Sequence, residues 1–327
     1  MTLTLDAPRA SLDLLVWPRQ GDAAASRACA HGELVRVATG RYVAAPIWAA
    51  LDAAERHVLR TMAELTRTSR ALVVSHRSAA VFWRMPSEVS RPTRVETTDP
   101  ESTWAQSTPS LIARAGPLLD SEIVDLRGLR VTSALRTAVD VALVSSFGVG
   151  VVVFDSCLQR RLFSRAELLD EVARRAGARG FASTLRAAHF SSELAESAGE
   201  SWGRVAIHEL GFPEPVLQWP VTDADGFAGR SDFAWLDEAS GDLLGETDGL
   251  VKYLDAQVRA GLSAEDVVVR EKLREDRLRA APGVRGLVRW TKDDVVHPHR
   301  LVAKLETAGL TRSTRWHSPP RGLRLGR

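Results

Sequence analysis

The sequence predicts an α/β chain, α+β overall, in which helical stretches are interleaved with hairpin-linked strands. Three observations predict it. Apolar residues recur at three- and four-residue steps over Ala50 to Thr66 and Leu194 to Leu210, the period of a helix packed on one face. Two-residue alternation broken by Gly and Asp turns marks strands within Gly32 to Val43 and within Val216 to Tyr253. The length of 327 residues, 45% hydrophobic and 26% charged, is enough for two or three packed domains.

Residues 1–47 come first. Ser26 to His31 reads as a helix end, and Gly32-Glu33-Leu34-Val35-Arg36-Val37 with Gly40-Arg41-Tyr42-Val43 as a tight hairpin. A helix followed by such a hairpin is the back half of a winged helix-turn-helix. This predicts a reduced winged-helix-like module with Arg36 and Arg41 as candidate DNA contacts on the wing.

Residues 48–190 read as an α-rich scaffold. After the Ala50–Thr66 helix, Ser75 is placed to N-cap a helix opening His76-Arg77-Ser78-Ala79-Ala80. Strand-like pieces follow at Thr93 to Thr97, Ile123 to Leu126 and Leu129 to Val131. Thr132 to Val144 and Gly148 to Gln159 read as helices, the second despite the β-branched run Val151 to Val153.

Residues 191–310 form the third region. The Leu194–Leu210 helix stops at Gly211 and Pro213. Val216 to Thr222 is a strand, and Asp223-Ala224-Asp225-Gly226 a turn. Arg230 to Tyr253 holds two further strands. Ser263 to Ala280 is a charged helix, Gly286 to Trp290 a strand and Pro298 to Ala308 a last helix. This order predicts a mixed sheet flanked by helices. Residues 311–327, with five Arg and no acid, read as a solvated basic tail.

Composition excludes some classes. The net charge of +2 is too small to mark a nucleic-acid binder by itself. Cys29 and Cys157 are far apart and have no metal-type spacing, which fits reduced thiols. The N-terminus lacks a basic region followed by an apolar run. The apolar run Phe147 to Leu158 is interrupted by Asp155 and too short to span a bilayer. A cytoplasmic protein with no membrane partner is expected.

The chemistry concentrates in Arg230 to Tyr253. Asp232, Glu246 and Asp248 lie in or beside strands that otherwise carry Phe233, Trp235, Leu243 and Leu244. Buried carboxylates are costly without a partner, and a divalent cation is the sharpest reason for them. Strand alternation puts Glu246 and Asp248 on one face and Gly245 and Thr247 on the other. Glu200, on the preceding helix, can reach the same ion, and Lys252 follows closely. Hydrolysing a phosphodiester needs an activated water and charge shielding, which Mg²⁺ or Mn²⁺ held by carboxylates supplies.

Other constellations have blander readings. Arg204 lies one turn from Glu200, which predicts an i, i+4 pair. Glu271 to Arg279 alternates in charge like a solvated face, with Lys272 and Arg274 as the residues that could meet phosphate. His297-Pro298-His299 reads as a helix start, and Ser75-His76 as a cap with a packed histidine. The tryptophans are core, with Trp219 or Trp235 able to stack on a base if a groove is adjacent.

Glu200-Ser201 with Arg204, Gln218, Asp232-Phe233, Gly245-Glu246-Thr247-Asp248-Gly249, Lys252-Tyr253, Glu271-Lys272 with Arg274-Glu275-Asp276, and Val288-Arg289-Trp290 occur in that order. In them Ser191 to Leu310 resembles the Vsr-like endonuclease domain of the PD-(D/E)xK nuclease superfamily. The resemblance implies a restriction-endonuclease-like fold, an endonuclease activity on DNA, and Asp232 and Glu246 as the metal pair. The superfamily pattern has Lys two residues after the second acid. Here that residue is Asp248, so the resemblance implies that Lys252 or Lys272 supplies the charge.

Gly32-Glu33-Leu34 to Gly40-Arg41-Tyr42, Ser75 to Ala80, and Val131-Thr132-Ser133-Ala134-Leu135-Arg136-Thr137 with Asp140 resemble type IV antitoxins of the AbiEi kind. That resemblance implies a scaffold and, as partner, a cognate toxin. Two expectations follow: a DNA-directed metal-dependent endonuclease, or a non-enzymatic DNA-binding regulator or type IV antitoxin with an inactive nuclease fold.

Overall fold

The computed structural model describes residues 11–17, 23–86, 92–248 and 263–313. The chain divides into two compact units, Met1–Val153 with Leu162–His189, and Phe154–Arg161 with Phe190–Arg327. The content is α+β, with mixed sheets and helices.

The first unit opens with α1 (Ala23–Ala30) and the antiparallel hairpin β1 (Leu34–Ala38) and β2 (Arg41–Ala44). Gly40 turns it with φ +67°, a conformation that glycine adopts without strain. The helix expected over Ala50–Thr66 is two pieces, α2 (Ala45–Ala50) and α3 (Ala53–Leu65). Asp52 breaks it: its carboxylate accepts the Glu55 N–H at 2.8 Å while Glu55 accepts the Asp52 N–H at 2.9 Å, a capping box that starts a new helix. Val43, Leu51, Leu59, Met62, Phe82 and Val131 share one core, so the hairpin and the following helices are packed together.

The remaining elements are β3 (Val73–Val74), α4 (His76–Phe82), β4 (Val95–Asp99), β5 (Gln106–Ser107), β6 (Leu111–Ala115), β7 (Ile123–Leu126), β8 (Leu129–Thr132), α5 (Ala134–Leu143), α6 (Phe147–Gln159, whose residues from Phe154 on belong to the second unit), α7 (Arg165–Ala173) and α8 (Phe181–Phe190). Helices supply most of the first unit's regular structure. Six strands join in one mixed sheet, ordered β5-β6-β4-β3-β8-β7. Its centre is poorly marked in sequence because β3 is two residues long and β4 reads Val-Glu-Thr-Thr-Asp, all five buried. The acids of β4 are paired, Glu96 with Arg114 at 2.9 Å and Asp99 with Arg70. Ser75 stands at the N-cap position of α4, but its side chain makes no capping hydrogen bond.

The second unit runs through α9 (Ala198–Glu209), β9 (Val216–Asp223), β10 (Gly226–Trp235), β11 (Asp242–Thr247), α10 (Ala264–Ala280), β12 (Val284–Trp290), α11 (Lys292–Val296) and α12 (Pro298–Thr307). α9 begins four residues later than its apolar stripe because Ser197 accepts the Glu200 N–H at 3.2 Å and fixes the start. The sheet is ordered β12-β11-β10-β9, with β11 and β12 parallel and the other pairs antiparallel. Val221, Ala234, Leu244 and Leu287 pack with Leu278 of α10 on one face. By alternation Phe233 and Gly245 point to the other face, where Phe233 meets the fully buried Trp290 at 5.1 Å between ring centroids. No helix among the described residues is long and apolar enough to cross a membrane.

Candidate functional site

Strand register brings the acids together. Phe233 stands opposite Gly245, so the next position outward places Asp232 beside Glu246. Both lie two residues from members of the α10-side core, Ala234 and Leu244, and therefore on that face. In the parallel pair, Glu246 is matched with Arg289 of β12.

Asp232 is anchored by Thr247, whose N–H and hydroxyl donate to one carboxylate oxygen at 2.9 and 3.0 Å. Burial nonetheless raises its pKa. Glu246 is only 3% exposed, and burial raises its pKa too, with the Asp232 charge adding to the rise and Arg274 opposing it. Glu200 is pushed up to about 7, first by burial and then by the charge of Asp232. One Glu200 oxygen accepts the Glu196 N–H at 2.9 Å and the Gln218 side-chain amide at 2.8 Å. Gln218 is held at φ +54°, which a non-glycine residue rarely adopts. Asp232 thus raises the proton affinity of an acid on either side of it, an arrangement common at functional sites.

The acids are met by arginines. Arg274 of α10 lies 2.8 Å from Glu246 and 2.8 Å from Glu271. Arg289 lies 3.9 Å from Glu246, 3.7 Å from Asp248, 3.6 Å from Glu271 and 2.8 Å from Glu275. Asp248 sits just past β11, more exposed than Glu246, with its N–H on the Trp290 carbonyl at 2.7 Å. Among the described residues, no group of three or more His, Cys, Asp or Glu side chains is placed to hold a metal ion. The expected ligand trio Asp232, Glu246 and Asp248 does not converge as a trio, because Asp248 leans on Arg289 at the strand end. The donor set that remains is the pair Asp232 and Glu246. Carboxylate oxygens are the donor type that Mg²⁺ and Mn²⁺ take, and Glu246 is here occupied by Arg274.

Other expected site residues fall differently. Lys252 lies outside the described residues. Lys272 is exposed and pairs with Asp276 at 3.1 Å, the solvated i, i+4 pair of its helix face. Arg274 serves Glu246 and Glu271 within the site. On the hairpin, Arg36 is exposed, whereas Arg41 donates to the Thr66 hydroxyl at 2.8 Å and lies over the Trp17 ring at 4.7 Å. Arg41 is partly buried and tied into the first unit's packing.

Arg204 does not pair with Glu200. It closes on Asp155 of α6, with Glu200 turned instead to Gln218. Trp235 is buried and donates to the Pro213 carbonyl at 2.8 Å, which leaves no face for a base. Trp219 packs partly buried against the α10-side core. His297 pairs with Asp293 at 3.1 Å at the start of its helix. His76 Nδ1 is 2.9 Å from the Ser75 hydroxyl and 4.0 Å from Asp140, so serine and aspartate meet the same ring nitrogen. A nucleophile relay needs them on opposite nitrogens.

Sequence reasoning missed Arg289 as a partner of Glu246. Only the parallel β11–β12 register places it there, and nothing in the local pattern signals that register.

No family model matches the chain. Proteins from two strains of Mycobacterium tuberculosis, each described as an uncharacterised protein, are 34% identical to it over 110 residues. The match covers 34% of this chain and 41% of each relative, so the chain spans about two fifths of the length of the curated relatives it matches.

Proposed function

We propose that the second unit is a metal-dependent endonuclease of restriction-endonuclease-like fold that hydrolyses phosphodiesters in DNA. The protein is then a cytoplasmic agent of mobile-element defence or DNA processing, with an antitoxin-like first unit carrying a winged-helix-like hairpin. What supports this most is the placement of Asp232 beside Glu246 on one sheet face, with Glu200 electrostatically coupled to Asp232. Asp232 and Glu246 are the residues to hold Mg²⁺ or Mn²⁺. Such an ion supplies Lewis acidity and an ionised water when bound. Thr247 orients Asp232, and Gln218 orients Glu200.

The test is incubation of the purified chain with plasmid DNA and Mg²⁺ or Mn²⁺. Cleavage that disappears in an Asp232→Ala/Glu246→Ala double variant supports the reading. No cleavage by wild type, or equal cleavage by both, sinks it.

A second reading is a non-enzymatic DNA-binding regulator or type IV antitoxin that keeps this fold without its reaction. It is favoured by Asp248 standing where a lysine is expected and by the pairing of Glu246 with Arg274. Salt-dependent DNA binding that survives loss of both acids, with no cleavage, selects it.

A further inference from the structure

The carboxylate of Glu246 already has a cation. Arg274 places one guanidinium nitrogen 2.8 Å from Glu246 Oε1. The same guanidinium grips Glu271 with two nitrogens, at 2.9 and 2.8 Å, and donates to the Arg230 carbonyl at 3.2 Å. Glu271 and Glu275 lie three residues before and one after Arg274 on α10, and Arg289 bridges to both. A planar fork held by two carboxylates and a carbonyl is fixed in place. Glu246 is nearly inaccessible while the Arg274 side chain keeps a third of its surface exposed, so the pair is screened from the arginine side only.

We propose that Arg274 is a resident counter-ion that competes with a divalent cation for Glu246, so that the site is locked by its own arginine. This deepens the metal-site reading above and rests on it. Arg274 has to leave Glu246 Oε1 before that oxygen can take a cation, and its two bonds to Glu271 hold it nearby when it does; Oε2 lies 3.9 Å from Arg289 Nε. Glu271 is therefore the parking position, and the lock releases without the guanidinium entering solvent alone. The +1 charge also repels a cation at the Asp232–Glu246 pair. Arg274 and the cation are mutually exclusive ligands of one oxygen.

The experiment is a Mn²⁺ titration of the full chain by calorimetry, with circular dichroism to verify folding. R274Q removes the competitor and is expected to tighten Mn²⁺ binding about tenfold or more, given the size of charge interactions at this range. R274K keeps the charge and is expected to stay within about threefold of wild type. E246Q is expected to weaken binding at least about tenfold, since it removes an ionised ligand. Unchanged or weaker binding in R274Q, with E246Q still impaired, overturns the lock and leaves the metal site standing. Binding that E246Q does not alter, or no binding by wild type or R274Q, overturns both. R274M keeps the methylene stem and carries the same expectation as R274Q should the latter fail to fold.

Discussion

Arg204 and Asp155 form a buried ion pair, with one guanidinium nitrogen shared between the two carboxylate oxygens at 2.9 and 2.7 Å. Asp155 is fully inaccessible and also accepts the Ser192 N–H at 2.7 Å. Arg204 donates in addition to the Phe190 carbonyl and lies over the Phe190 ring at 4.3 Å. Burial raises the Asp155 pKa, and Arg204 opposes the rise without cancelling it. Removing one partner strands the other charge away from water. Asp155→Ala is therefore expected to lower stability by about 3–5 kcal/mol. Urea denaturation checks this, and a loss below about 1 kcal/mol would mean that Arg204 finds solvent or another acid.

Gly245 has no room for a methyl group. A Cβ there would stand 3.0 Å from a Trp235 ring carbon and 3.0 Å from two Trp290 ring carbons. Both rings are buried, and neither can swing away cheaply. Gly245→Ala is expected to cost about 1–3 kcal/mol, read as a lower thermal midpoint. An unchanged midpoint would show that the tryptophans can move.

Arg41 is expected to behave as a packing residue. Arg41→Ala loses the Thr66 hydrogen bonds and the Trp17 stack, together worth about 1–2 kcal/mol. Arg36→Ala, at an exposed position of β1, is expected to change stability by no more than about 0.5 kcal/mol. Parallel denaturation curves of the two variants decide this, and equal stabilities would refute the distinction.

Two buried histidines make the first unit acid-sensitive. His57 is held down to about 4 by burial and then by Arg60. Burial, then the charges of Arg114, Arg136 and Arg77, holds His76 down to about 3. Both lie below the ordinary 6.5, so the unfolded chain binds more protons as pH falls. Their contribution is complete above about pH 6.5 and is lost progressively towards pH 4 and 3. Asp140, raised to about 6 mainly by burial, acts in the opposite sense, since its folded form takes up a proton first. His76→Asn should flatten the fall in stability between pH 6.5 and 4, and Asn tolerates the φ of +51° found there. Denaturant midpoints measured across that range test it, and an unchanged slope would remove His76 from the account.

Much of the element list was legible in the sequence because its signals are local. The hairpin turn at Gly40, the charged helix that begins after Ser263, and the stop of α9 before Gly211 depend on residues within a turn of one another. Alternation along β11 puts Glu246 and Asp248 on one face, whereas the pairing of Glu246 with Asp232 comes from the β10–β11 register. The Ala50–Thr66 helix was misread where two local signals conflict, since the apolar period continues through Asp52 while the Asp52–Glu55 capping box interrupts it.

By itself, the sequence determined most of the helices and the hairpin-linked strands of the second unit, because backbone preference and side-chain period act over a few residues. The tertiary structure alone decided who neutralises whom. Arg204 chose Asp155, 49 positions away, over Glu200 one turn away, because Asp155 is buried where no water can serve it. Among the described residues Glu246 is met by Arg274 and Arg289, because α10 packs on that face and β12 runs parallel to β11. Charge partners are set by burial and by the crossing of distant elements, and neither is written in the spacing of residues along the chain.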